Sequence, residues 1–120
     1  MNGHVDDAGR ALLPLRVRSV APGIARDLLV WVDTAFDGEL VVPHELVADL
    51  GLTQTACVQA TLADGKNVVL ETFDCEIEWF GQWRPVEAIA NIGWRPLLGI
   101  GLLKGRKFSI DYRVGEPVLE

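Results

Sequence analysis

Leu28-Leu29-Val30-Trp31-Val32 is a continuous apolar run that stops at the polar triplet Asp33-Thr34-Ala35, after which Phe36-Asp37-Gly38 turns the chain. An apolar run of this length between turn residues predicts a short strand buried on both faces. The Asp33 carboxylate then lies where a buried strand ends, and a charge there is costly unless it is hydrogen-bonded or shared with another group. Two roles are open for Asp33: a cap of the turn, which is common for aspartate, or a functional acid.

The composition is that of one globular domain. The chain has 120 residues, of which 49% are hydrophobic and 23% are charged, with a formal net charge of -6. The acidic balance argues against a nucleic-acid or anionic-membrane partner, because both need a basic surface. No apolar run is long enough to cross a bilayer as a helix.

Residues 1–10 are polar, and we expect a flexible N-terminal segment there, followed by a single domain over residues 11–120. The segment lacks the basic start and apolar stretch of a secretory signal peptide. Cys57 and Cys75 do not have a metal-ligand spacing. Reduced thiols and a cytoplasmic location are therefore expected, and the alternative is a disulfide between the two cysteines.

Alternating patterns predict most of the strands. After Pro14, Leu15 and Val17 alternate with Arg16 and Arg18, which is typical of a strand with one solvent-exposed face. A turn is predicted at residues 21–23. A short helix is expected from Pro43, which would take the first helical position, to Leu50, with Gly51 ending it.

A β-hairpin is predicted around the turn residues Asp64 and Gly65, because an Asp-Gly pair tolerates positive φ. Residues 57–62 alternate before this turn, and Phe73, Cys75, Ile77 and Trp79 alternate with acidic residues after it. The simplest interpretation of this hairpin is an ordinary meander connection. Whether it also has a function is not decided by the pattern.

The remaining chain predicts further short strands. They cover residues 83–90, 97–99 and 107–112, with a loop at 91–96, one helical turn at 101–104 ended by Gly105, and a turn at 114–117 before Val118-Leu119. Many short strands separated by Gly and Pro turns predict a mainly-β closed barrel with one or two short helices.

In order and spacing the chain resembles the retropepsin-like aspartic proteases, in particular small bacterial members with a single Asp-Thr-Gly or Asp-Thr-Ala triplet. The likeness runs over nearly the whole chain, from about Leu12 to Glu120. It rests on the segments at residues 30–38, 40–43, 50–52, 62–65, 96–103 and 108–111. A triplet alone is weakly specific, but a triplet with a downstream Leu-Leu-Gly before a short helical stretch is much more so.

The resemblance implies a six-stranded acid-protease barrel and an aspartic endopeptidase that needs no cofactor or metal. Asp33, Thr34 and Ala35 would be the catalytic triplet. Because the chain has one triplet, the second aspartate would come from a second copy in a symmetric homodimer. The family's pattern gives Thr34 a hydrogen bond across the dimer axis. It also implies that Gly99 lets the segment after it pack close beneath the loop that carries the triplet. In retropepsins the chain termini also interleave between subunits, which would explain Val118-Leu119.

The resemblance further implies that the hairpin is a flap over bound peptide, with Ala63, Asp64 and Gly65 at its tip, 31 residues after Asp33 in the case of Asp64. The third triplet residue is alanine where the family mostly has glycine, so a second hypothesis is a catalytically inactive module that binds a peptide or protein. A third is an unrelated β-domain with a chance triplet. Juxtaposed Asp33 residues would exclude the third hypothesis, and only a cleavage assay separates the first two.

Overall fold

The computed structural model describes residues 1–20, 23–61, 63–91 and 95–120. The architecture is mainly β with two short helices, as the sequence predicts. In chain order the elements are β1 His4–Val5, β2 Ala11–Arg18, β3 Ala25–Val32, β4 Leu40–Pro43, α1 His44–Leu50, β5 Thr53–Thr61, β6 Asn67–Trp79, β7 Gln82–Asn91, β8 Leu97–Leu98, α2 Ile100–Leu103, β9 Phe108–Asp111 and β10 Glu116–Leu119.

Six strands form a ring around the core, in the order β2, β3, β8, β4, β7 and β6. The ring closes where β2 pairs with β6, with Val17 opposite Ile77 and Arg18 opposite Glu76. Arg18 Nε donates to Glu76 Oε1 at 2.9 Å across this closure. β1 and β5 extend the sheet beyond the ring. The predicted closed arrangement of six strands is confirmed.

The core is built from the alternating strands that the sequence predicts. In β2, Leu13, Leu15 and Val17 are buried, whereas Arg16 points to solvent. In β6, the inward row contains Phe73, Cys75, Ile77 and Trp79. Because side chains alternate across a strand, each row supplies one continuous apolar face to the interior of the ring.

The prediction that residues 28–32 are buried on both faces is wrong. In β3 only Val30 and Val32 are buried, while Leu29 is 47% and Trp31 37% exposed. A continuous apolar run does not distinguish a strand covered on both faces from one covered on a single face. The outward side chains of β3 therefore form an apolar surface on the chain.

Residues 1–10, expected from their composition to be flexible, have backbone partners that composition does not predict. β1 pairs with β2, with Val5 opposite Ala11. Val5 N–H donates to Gly115 O at 2.9 Å, and Gly3 N–H donates to Pro117 O at 3.1 Å. Non-local backbone pairing thus holds this polar segment along β10 and β2.

Several boundaries differ from those predicted. The second helix covers Ile100–Leu103 with Lys104 as its C-cap, and not residues 101–104 ended by Gly105. Pro43 precedes α1 as its N-cap, with ψ at 149°, and does not occupy the first helical position. Gly51 ends the helix with φ at 61°, as predicted. Glu116 and Pro117 belong to β10 and not to a turn, because Pro117 lies opposite Ile110 of β9. Residues 21 and 22 of the turn predicted at 21–23, residues 92–94 of the predicted loop and residue 62 of the predicted hairpin lie outside the described residues.

The two cysteines have opposite environments, and both are free thiols. Cys75 is fully buried in the core, and burial raises the pKa of its thiol to about 12. Cys57 is exposed on β5.

Because only the thiolate reacts with disulfide reagents, we expect an aromatic disulfide reagent to titrate Cys57 rapidly in the native protein and Cys75 only after unfolding. The variant Cys57→Ser should lose the fast phase, and equal rates for both thiols would contradict the burial of Cys75.

Asp6 organises the turn that leads into β2. Its Oδ1 accepts from the backbone N–H of Arg10 at 2.9 Å and of Ala8 at 3.0 Å, and its Oδ2 accepts from Arg10 Nε at 2.7 Å. The backbone hydrogen bond from Arg10, followed by the guanidinium, lowers the pKa of Asp6 below its ordinary value. A carboxyl with a lowered folded pKa stabilises the fold above its unfolded pKa of about 3.9, and this stabilisation is lost as the pH falls through the folded pKa.

We therefore expect Asp6→Asn to be less stable than the parent at pH 7, with the difference shrinking as the pH falls from about 4 toward 2. Urea unfolding at several pH values measures this. Asp7→Asn is the matched control, because it makes the same chemical change at an exposed neighbouring side chain. Equal stability losses in both variants, or a gap that widens in acid, would contradict the role assigned to Asp6.

Candidate functional site

The triplet loop, which comprises residues 33–38, begins where β3 ends, and pairing with β8 holds its first residue in place. β3 and β8 run parallel, with Trp31 opposite Leu97 and Val32 opposite Leu98. Asp33 N–H continues this pairing by donating to Leu98 O at 2.9 Å. The backbone of Asp33 is thus held by the ring itself.

The carboxylate of Asp33 is half-buried and takes part in the turn. Its Oδ1 accepts from Ala35 N–H at 3.0 Å, and its backbone oxygen accepts from Phe36 N–H at 3.2 Å. This is the turn-capping arrangement expected of aspartate. Oδ1 is thereby oriented, while Oδ2 receives no hydrogen bond from any residue that the structure describes.

Gly99 lies directly beneath the triplet loop. Its N–H donates to Glu39 O at 2.9 Å, and the next two amides, of Ile100 and Gly101, donate to Phe36 O and Gly38 O at the same distance. A Cβ added to Gly99 would clash with Gly38 O and would lie 2.8 Å from Phe36 O. Because the backbone at Gly99 lies against the backbone of Phe36 and Gly38, only glycine, which has no Cβ, fits at this position.

Thr34 and Ala35 form the exposed tip of the triplet loop. Among the residues in the described ranges, the Thr34 hydroxyl has no hydrogen-bond partner. Within the same ranges Phe80 is the non-glycine residue with positive φ, so the backbone of Ala35 is not left-handed. Alanine therefore fits the third triplet position without backbone strain.

The predicted hairpin is present as a long two-stranded arm formed by β5 and β6, with Thr61 opposite Asn67 next to the turn. At its tip, Asp64 Oδ1 accepts from Lys66 N–H at 2.9 Å, and Gly65 has φ at 84°. Ala63, Asp64 and Gly65 are all exposed. No hydrogen bond within the described parts of the chain joins this tip to Asp33.

One face of the hairpin arm is apolar. Because cross-strand partners share a face, the pairs Val58–Leu70 and Ala60–Val68 lie together. Val58 is 46% exposed. The opposite face is mixed, because it pairs Cys57 with Glu71 and Gln59 with Val69, which is 63% exposed. The arm thus presents an apolar surface that the rest of the described chain leaves in contact with solvent.

Trp31 is a residue near the site that the sequence analysis did not single out. It lies two positions before Asp33 on the exposed face of β3, and the Arg10 guanidinium lies over its ring at 5.7 Å from the centroid. Side chains alternate in direction along β3, but a run of five apolar residues does not show which of them face outward.

Two expectations depended on a second copy. In the described part of the chain, Asp33 has no hydrogen bond to another carboxyl group, and no cluster of three or more potential metal ligands occurs. The C-terminal residues Val118 and Leu119 pair with Ser109 and Phe108 of the same chain. A single chain therefore supplies one Asp33 to the site, and its C-terminal strand β10 is paired within the same chain.

In the described residues no helix is long and apolar enough to cross a membrane.

Comparisons with known proteins identify the fold. No family model matches the sequence, and no curated protein matches it. A retropepsin-like aspartic protease from Rickettsia conorii superposes with a TM-score of 0.67 and 18% identity, covering 99% of this chain and 88% of its own. The EIAV protease, solved in complex with the inhibitor HBY-793, superposes with a TM-score of 0.58 and 17% identity, covering 79% of this chain and 86% of its own. This chain therefore has the retropepsin-like fold.

Proposed function

We propose that this protein is an aspartic endopeptidase whose catalytic pair is formed by Asp33 from each of two copies. The observation that carries the proposal is the triplet loop. Its aspartate is fixed to β8 through the backbone, one carboxylate oxygen is oriented by Ala35, and Gly99 fills the space beneath. The shared fold with two aspartic proteases supports the same conclusion.

Two carboxylates at one site explain hydrolysis without a metal or a covalent intermediate. Like charges held close together cannot both ionise, so the pair retains one proton. The ionised member removes a proton from water, and the protonated member donates to the carbonyl oxygen of the scissile bond. A second copy related by two-fold symmetry supplies the second carboxylate.

Thr34 fits a role at the dimer axis. Its hydroxyl is exposed next to Asp33 and, among the described residues, unpaired. Hydrogen bonds between the two Thr34 side chains would hold both triplet loops in one orientation, as the resemblance implies. Such preorganisation keeps the two carboxylates at the separation that proton sharing requires.

The substrate we propose is an extended peptide with apolar side chains. The arm of β5 and β6 would close over it, with Ala63, Asp64 and Gly65 at the tip and the apolar face formed by Val58 and Leu70 toward the peptide. A hairpin that closes over a peptide excludes water and adds main-chain hydrogen bonds. Since Cys57 and Cys75 are both free thiols, we place the reaction in the reducing cytoplasm.

The first test is the mass of the protein in solution, by light scattering over a dilution series at pH 5 and pH 7, with cleavage of an unfolded protein substrate followed in parallel. We expect a dimer whose cleavage rate per chain falls on dilution as the dimer dissociates. A monomer under all conditions, even with a peptide-based aspartic protease inhibitor, would overturn the proposal. A dimer that binds peptide without cleaving it would favour the inactive binding module.

A further inference from the structure

The aromatic ring of Phe36 lies on two glycines, Gly38 at the end of the triplet loop and Gly99 beneath it. A Cβ added to Gly38 would clash with the far end of this ring and would lie 2.7 Å from Phe36 Cε1. A Cβ added to Gly99 would lie 2.5 Å from Phe36 Cδ2, at the edge of the ring. The Phe36 side chain is half-buried. The two glycines thus leave the space that the ring fills.

Neither glycine is required by its own backbone conformation. Gly38 does not have a positive φ, and Gly99 has φ at -100°, which any residue adopts. Glycine is therefore needed at these two positions because another group comes close. At Gly38 that group is the Phe36 ring, since the three atoms nearest to an added Cβ all belong to it. At Gly99 the ring adds a side-chain contact to those with the backbone oxygens of Phe36 and Gly38.

The backbone of Phe36 connects this ring to both sides of the site. Phe36 N–H donates to Asp33 O at 3.2 Å, and Phe36 O accepts from Ile100 N–H at 2.9 Å. Ala35, whose N–H donates to Asp33 Oδ1 at 3.0 Å, is the residue directly before Phe36. Because close-packed groups cannot shift independently, a ring packed on Gly99 limits how far the turn from Asp33 to Phe36 can move relative to α2.

From these contacts we infer that Phe36 is a positioning residue, whose ring holds the Asp33 carboxylate in the orientation that proton sharing requires. This inference rests on the proposed function. Phe36 acts through Asp33 and not on the substrate. Loss of the ring leaves a space beside Gly38 and Gly99, and the triplet loop would then occupy more than one position. The carboxylates of the two copies would be held at a less defined separation, which weakens the sharing of one proton.

Substitution of the ring and of Gly38, separately and together, tests the packing. Gly38→Ala adds a methyl group where the ring lies, so we expect its midpoint of urea unfolding to fall by about 1 M. In a Phe36→Leu background the ring is absent, and the same Gly38→Ala change should cost about half as much or less. Gly99→Ala should remain costly in that background, because its added Cβ still meets backbone oxygens. Equal costs of Gly38→Ala in both backgrounds would overturn the inference.

The kinetic readout compares Phe36→Leu with Phe108→Leu, a matched control that makes the same change at another half-buried phenylalanine. The substrate is a short peptide from a segment that the parent cleaves in an unfolded protein, and both variants are assayed as dimers. We expect Phe36→Leu to lower kcat by about tenfold to a hundredfold at an unchanged KM, and the control to keep the parent values. The pH range of cleavage by Phe36→Leu should narrow, since a weakly coupled pair holds one proton over a smaller range. A raised KM at an unchanged kcat, or a kcat and pH range equal to those of the control, would overturn the inference.

The Ala35 amide gives a readout that does not depend on cleavage. Because this amide donates to Asp33 Oδ1, its proton NMR shift should change with pH as the carboxyl titrates, and the change should vanish in Asp33→Asn. In Phe36→Leu we expect the pH-dependent change to fall to about half or less, since a mobile loop forms this hydrogen bond for less of the time. A change as large as that in Phe108→Leu would overturn the inference. A parent protein that does not cleave contradicts the proposed function alone, and the Ala35 shift still decides whether Phe36 orients Asp33.

Discussion

Replacing Asp33 with asparagine is expected to lower peptide cleavage by about a thousandfold or more while leaving the fold intact, since proton transfer by a positioned acid and base contributes about 100- to 10,000-fold in each role. Asparagine has the same shape, and its side-chain oxygen can still accept from Ala35 N–H, a contact of 3.0 Å in the parent. It cannot share or transfer a proton. The fold and the turn should therefore survive the loss of chemistry.

The measurement is the initial rate of cleavage of an unfolded protein at pH 5, at a concentration at which light scattering shows the parent to be dimeric. Asp49→Asn is the matched control, because it removes the same charge from an exposed position on α1. We expect the control to cleave at the parent rate. If Asp33→Asn retains cleavage, the assignment of the catalytic pair is wrong. If the variant loses both cleavage and assembly, the loss of cleavage is explained by the loss of the dimer.

Replacing Gly99 with alanine should destabilise the protein by about 3 kcal/mol, the upper range for overpacking a tight site. The added methyl group would clash with Gly38 O and would lie 2.8 Å from Phe36 O. Both are backbone atoms of the triplet loop, so neither can rotate away. Relief requires the loop to separate from Gly99, which would also misplace Asp33, and we expect cleavage to be lost with stability.

Urea unfolding at pH 7 measures the effect, provided that the m-value is unchanged. Gly105→Ala is the matched control. Its backbone has φ at 74°, but an added Cβ would have nothing within 4 Å. The control thus carries only the cost of the left-handed conformation, about 1 kcal/mol. Equal losses in both variants would mean that the contact of Gly99 with the triplet loop is not tight.

The local features of the site followed from local chemistry. The turn after β3, the tip of the hairpin arm at Asp64-Gly65 and the end of α1 at Gly51 each depend on the conformational preferences of a few adjacent residues. Such preferences are the same in any fold, so they could be predicted residue by residue. Alternation predicted the inward rows of β2 and β6 for the same reason.

The support beneath Asp33 could not be predicted from the residues around it. Gly99 is 66 positions away in sequence, and its contacts with Phe36 and Gly38 arise only when β8 pairs beside β3. The resemblance to retropepsins supplied that expectation, while the residues alone indicated no more than a glycine at the end of a short strand. The position of Trp31 on an exposed face was missed because an apolar run does not show which face the ring covers.

By itself, the sequence determined the mainly-β class, the position of the triplet at the end of an apolar strand and the turns that bound the hairpin arm, because hydrophobic period and turn chemistry are properties of short segments. Only the tertiary structure decided which face of β3 is covered, how Gly99 meets the triplet loop and where the two chain ends lie. Those features depend on backbone pairing between distant segments. Residues 1–10 illustrate the difference: their polar composition predicts flexibility, yet β2 and β10 offer them hydrogen-bond partners from opposite ends of the chain.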